Sequence, residues 1–124
     1  KRRFIFLDWR QDFSNNLYHG DLYYDLAKLM HGFIVSHNSI VKNKYKISEY
    51  NKKVKFKINN PDILSKLIKI FDKWIIDQGY DLKKIKILTS LIFLNIACLH
   101  HYPYNKFLFY LGKYELFKSL NYEN

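Results

Sequence analysis

The sequence predicts a mainly α-helical protein with a small β component, the α+β class. Three observations predict it. Apolar residues recur at helical spacing in the stretches that follow Asp21, Asp62, Asp81 and Pro103, the mark of helices with one buried side. A single region, Ser39 to Ile58, changes to alternation of apolar and lysine positions, the period of a strand with one buried face. Only 2 Pro and 4 Gly interrupt 124 residues, so most of the chain is free to adopt regular structure.

The elements follow in order. Arg3 to Trp9 reads as a short buried strand because Phe4, Ile5, Phe6 and Leu7 are consecutive. Gln11 to Gly20 is polar and reads as a loop. Asp21 to about Ser36 reads as a helix: Asp21 is a natural N-cap, and Leu22, Leu26, Leu29, Met30 and Phe33 form its apolar stripe. Tyr45 and Ile47, then Val54, Phe56 and Ile58, alternate with lysines across a hairpin whose turn region is Glu49 to Lys52. Asn60-Pro61-Asp62 reads as a helix start, with Asn60 as cap and Pro61 in the first helical position. Its stripe is Ile63, Leu64, Leu67, Ile68, Phe71, Trp74 and Ile75, and Gly79 closes it. Asp81 opens a helix to about His100, nearly all apolar from Leu88 to Leu99. That run is too short for a bilayer, which needs about 20 apolar residues, so a helix buried among others and no membrane span are expected. Tyr104 to Leu120 is the last helix, with Phe107, Leu108, Leu111, Tyr114 and Phe117 facing inward.

Composition narrows the function classes. With 48% hydrophobic and 19% aromatic residues, the chain has material for a core, and disorder is excluded. The lone Cys98 rules out an internal disulfide and suits a reducing, cytoplasmic setting. No signal peptide is visible. Lacking an initiating Met, the chain reads as one domain or a fragment of one, residues 1–124. The net charge of +10 raises nucleic acid as a partner. Much of the excess is local, since Lys42 to Lys57 holds seven Lys against one Glu. A lysine face that protects a sheet edge is the simpler account; specific nucleic-acid binding is not expected. No nucleotide-binding glycine loop or dinucleotide fingerprint appears.

Two segments carry chemistry. Phe6-Leu7-Asp8-Trp9 delivers one carboxylate at the end of an apolar run, and Gly20-Asp21-Leu22-Tyr23-Tyr24-Asp25-Leu26-Ala27 opens a helix with a second. From spacing alone, Asp8 reads as the cap of the following turn. The ordered pair of segments, however, resembles the metal-binding end of the aminoglycoside phosphotransferase and choline kinase families, which share the protein-kinase-like fold. Those families carry the metal-binding Asp on an apolar strand of the form Ile-Asp-Phe or Ile-Asp-Trp. They then place Gly-Asp-x-x-x-Asp-Leu-Ala at a helix start, and the chain fits that element at every fixed position. The resemblance covers residues 4 to 30 as motif.

The resemblance implies the C-terminal lobe of a kinase-like fold. Asp8 would bind Mg2+ bridging the phosphates of ATP. Asp25 would be buried and accept hydrogen bonds from the backbone of the catalytic loop, and Asp21 would cap the helix. His19-Gly20-Asp21 imitates the families' catalytic His-Gly-Asp, but the residue five beyond Asp21 is Leu26 rather than a metal-binding Asn, and the element follows the strand instead of preceding it. It is a look-alike, and no catalytic residue is assigned within the chain.

Arg10, Asp12 and Tyr18, in the loop after Asp8, and His100 and His101, after the third helix, are candidate substrate contacts. The competing readings are a surface loop with local salt bridges and, for the histidines, cationic groups at a helix C-terminus. Cys98 reads as a small buried hydrophobe. The implied function is the C-terminal portion of an ATP-dependent phosphotransferase for a small-molecule hydroxyl acceptor: a sugar, an amino alcohol or a related metabolite, with surface-polysaccharide biosynthesis as the context. Its partners would be that acceptor and the missing N-terminal part of the same polypeptide; alone it would be inactive. The alternative is a non-enzymatic basic module that binds nucleic acid through Lys42–Lys57, with Tyr45, Tyr50 and Phe56 for stacking.

Overall fold

The protein is described by a computed structural model for residues 15–121 apart from 17 and 19. The expected strand Arg3 to Trp9 lies outside the described residues. The class is as the sequence predicts: the described residues are mostly helix, with one two-stranded antiparallel sheet. The order is α1 (Leu22–Ile34), α2 (His37–Val41), β1 (Tyr45–Tyr50), β2 (Lys53–Ile58), α3 (Asp62–Asp77), α4 (Leu82–Ala97) and α5 (Tyr104–Leu120).

Capping fixes two helix starts. The Asp21 side chain accepts from the Tyr23 N–H at 2.9 Å, and the Asp81 side chain accepts from the Lys84 N–H at 2.9 Å. Each satisfies a backbone donor that the first turn leaves open. At the end of α3, the Tyr80 N–H reaches the Ile75 carbonyl and the Gly79 N–H the Ile76 carbonyl. Gly79 has φ 76, the left-handed conformation this Schellman closure requires.

Three local expectations are corrected. The first helix stops at Ile34, and a separate short helix, α2, fills what reads in sequence as the approach to the hairpin. The hairpin turn is tighter than Glu49 to Lys52: Glu49 and Tyr50 belong to β1, opposite Val54 and Lys53. Only Asn51 and Lys52 turn the chain, with φ 47 and 61, the paired positive angles of a type I′ turn. Pro61, not Asn60, precedes α3, and no side chain caps it. Asn60 instead donates from Nδ2 to the Ile34 carbonyl at 2.7 Å. Ser39 Oγ donates to the Asn59 carbonyl beside it. The base of the hairpin is thereby tied back to the junction of α1 and α2.

α4 is the central element. It packs along α5 on one side and α1 on another, while α3 lies against α1 and the hairpin against α5. One buried cluster joins Ala27 and Met30 of α1 to Phe71 and Ile75 of α3 and Ile85 of α4. A second joins Phe93 of α4 to Phe107, Leu108 and Leu111 of α5. Hydroxyls inside α4 are satisfied locally: Thr89 Oγ1 donates to the Ile85 carbonyl and Ser90 Oγ to that of Lys86, both at 2.8 Å. That is how polar residues sit in an otherwise apolar helix.

The predicted apolar stripes are only partly buried. On α3, Phe71 and Ile75 enter the core, whereas Ile63 and Trp74 stay exposed. On α5, Tyr114 and Phe117 are exposed as well. A hydrophobic period marks the side a helix offers, and a neighbour must be present to cover it. Among the described residues, no helix is long and apolar enough to cross a membrane.

Candidate functional site

Of the residues singled out by sequence, Asp8, Arg10 and Asp12 lie outside the described residues, as does His19. Tyr18 is exposed, its N–H bonded to Asn16 Oδ1 at 3.0 Å. Asp21 performs the capping expected of it. Asp25 is corrected: it lies on the first turn of α1, one turn from Asp21, and is exposed rather than buried. A residue four beyond the cap points away from the core when Leu26 and Ala27 beside it point in.

His100 and His101 are both exposed, beyond the C-terminal end of α4. The His100 ring meets the edge of Tyr104 at 4.8 Å. Cys98, expected to be buried, is exposed, with Sγ 2.9 Å from the Asn95 carbonyl. The helix has turned the face that buries Phe93 and Ala97 away from it. Among the described residues, no group of three His, Cys, Asp or Glu side chains gathers closely enough to hold a metal.

The lysine face takes the form the alternation predicts. Lys44, Lys46, Lys53, Lys55 and Lys57 are exposed. Tyr45 and Phe56 lie on the opposite face, with rings 5.2 and 6.2 Å from that of Phe107 in α5. Lys106 of α5 reaches back to Glu49 at 3.0 Å. Two of the three rings that the nucleic-acid reading needs are therefore engaged in packing; Tyr50 alone of them is exposed.

The residues that do converge were not foreseen. A cavity of about 890 Å³ opens between α1, α3 and α5 at the end of β2. Met30, Phe33, Ile68 and Leu111 supply apolar walls, and Asn60, Asp72 and Lys86 supply polar ones. Asp72 Oδ2 pairs with Lys86 Nζ at 3.0 Å. The other carboxylate oxygen, Asp72 Oδ1, and Asn60 Oδ1 are both buried without a hydrogen-bond partner among the described residues. Neither Asp21, Asp25, His100 nor His101 lines this cavity. The sequence carried one usable signal, an Asp in the middle of the apolar α3. Its meaning depends on α4 bringing Lys86 alongside, which no local pattern records.

The chain matches no family model, no curated protein and no solved structure.

Proposed function

We propose that the chain is the C-terminal portion of an ATP-dependent small-molecule phosphotransferase of the kinase-like class. The observation that carries the reading is the ordered pair of segments, Phe6-Leu7-Asp8-Trp9 and Gly20-Asp21-x-x-x-Asp25-Leu26-Ala27, with helix α1 starting directly after Asp21. A mainly helical unit behind these segments is what such a lobe requires.

In this reading Asp8 holds Mg2+, which when bound neutralises charge on the phosphates of ATP. Asp21 fixes the start of α1 and so the placement of Asp25. Asp25 is exposed among the described residues, and in this reading the backbone of a catalytic loop supplies its cover. The metal role within the chain then rests on Asp8. The acceptor is a small molecule with a free hydroxyl; surface-polysaccharide assembly is a fitting context.

The test is a single carboxylate in the complete polypeptide. Asp8→Asn lowers Mg-dependent phosphoryl transfer by about a hundredfold or more, since it removes a charge that acts on the transition state, while the thermal midpoint stays unchanged. Retained turnover refutes the metal role. The 124-residue chain by itself shows no transfer and binds ATP no more tightly than about millimolar, an affinity worth only about 4 kcal/mol.

A further inference from the structure

We infer that the cavity between α1, α3 and α5 is a binding site for a small molecule with a hydrocarbon body and a hydrogen-bond-donating head, a primary alcohol or a primary amine. The inference does not rest on the phosphotransferase reading.

Size is the first argument. The cavity measures about 890 Å³, within the range of about 300–1,000 Å³ typical of sites for small ligands. Its walls are mostly apolar, with Met30, Phe33, Ile68 and Leu111 among them.

The second argument is the direction of its hydrogen bonds. Each hydroxyl on the wall already donates to backbone: Ser65 Oγ to the Asp62 carbonyl, Thr89 Oγ1 to Ile85 and Ser119 Oγ to Glu115. The Asn60 amide donates to the Ile34 carbonyl. The two lysines on the wall are held by carboxylates, Lys86 by Asp72 and Lys118 by Glu115. Two acceptors on the same wall have no donor among the described residues. Asn60 Oδ1 and Asp72 Oδ1 are buried and unpartnered among the described residues, and a buried acceptor without a donor is unfavourable. A molecule that brings a donor relieves this.

Charge is the third. Asp62, Asp72 and Glu115 outnumber Lys86 and Lys118 on the lining. The residual charge is negative inside a chain whose total is +10. An anionic head therefore leaves both acceptors without a donor and meets an excess of carboxylates.

The experiment is an amide NMR titration of the chain with octan-1-ol, octylamine and octanoate at fixed pH and salt, three probes with one body and different heads. The alcohol and the amine produce saturating shifts at Ser65, Thr89, Leu111 and Ser119, and octanoate binds at least about fivefold more weakly, as loss of one hydrogen bond to a charged or buried group implies. Whichever of the two donors binds more tightly identifies the head, and either result supports the site. Ser65 is exposed on α3 and lines the cavity, so Ser65→Trp fills it from the rim without disturbing the core and abolishes the shifts. Three results overturn the inference: octanoate binding as tightly as the others, shifts that survive Ser65→Trp, or no saturation with either donor, in which case the cavity holds only water. The comparison of heads on the unaltered chain decides even if the variant does not fold.

Discussion

His31 lies on α1 with its ring 4.7 Å from that of Phe93, and its Nε2 is buried without a partner among the described residues. Burial, aided by the charge of Lys28, lowers its pKa to about 4. The unfolded chain takes up this proton near the ordinary value of about 6.5. Above that pH the ring is neutral in both states and contributes no pH dependence. As pH falls from about 6.5 toward 4, the unfolded state binds the proton and the native state does not, so stability drops. The ring is partly solvated, which discounts the effect to about 1–2 kcal/mol. His31→Phe is expected to flatten the acid limb of a urea-midpoint profile between about pH 7 and 4.5; an unchanged limb means that other groups dominate it. Asp21 acts at the same scale. Asp21→Ala removes the cap on α1 and is expected to lower stability by about 1 kcal/mol, while Asp21→Asn retains most of it, as read by denaturant midpoints. Both roles differ in legibility. The cap is written in sequence because the acceptor and its donor are two residues apart. The state of His31 is not, because Phe93 reaches it from across the fold.

Among the elements, α5 lies close against α4 at Gly112. A Cβ there would stand 2.9 Å from both Cγ and Cδ2 of Leu94 and 3.1 Å from its backbone nitrogen. Small size at this point lets the two helices approach. Gly112→Ala gains in helix propensity by about 1 kcal/mol, but forcing the backbones apart costs about 1–3 kcal/mol. The clash includes backbone, which cannot rotate away, so net destabilisation is expected and a chemical-denaturation curve checks it; a stabilised variant shows that Leu94 moves freely. The corresponding substitution at Gly32 meets open space and gives the control. Nothing in the local sequence separates these two helical glycines. The elements themselves were legible: α5 spans the predicted Tyr104 to Leu120, and α3 and α4 begin within a residue of where capping signals put them.

For the whole molecule, the charge of +10 is organised by packing. The hairpin turns Tyr45 and Phe56 onto Phe107 and leaves its lysines outside. A cationic face without a row of free rings attracts phosphate backbones but reads no bases. The chain is therefore expected to bind random and structured oligonucleotides alike, with affinity falling steeply with salt. Sequence-selective binding that persists at about 200 mM salt overturns the edge-protecting account of Lys42 to Lys57.

By itself the sequence determined the helical class, the hairpin, the cap at Asp21, the helix start at Asp81 and the closure at Gly79. Each of these is set by partners within a few residues, where spacing alone fixes geometry. Only the tertiary structure decided that Asp25 and Cys98 face outward, that Trp74 and Phe117 stay uncovered, and that Asn60, Asp72 and Lys86 line one cavity. Those outcomes depend on which helix lies against which, and the residues that settle them are brought together from separate elements of the chain.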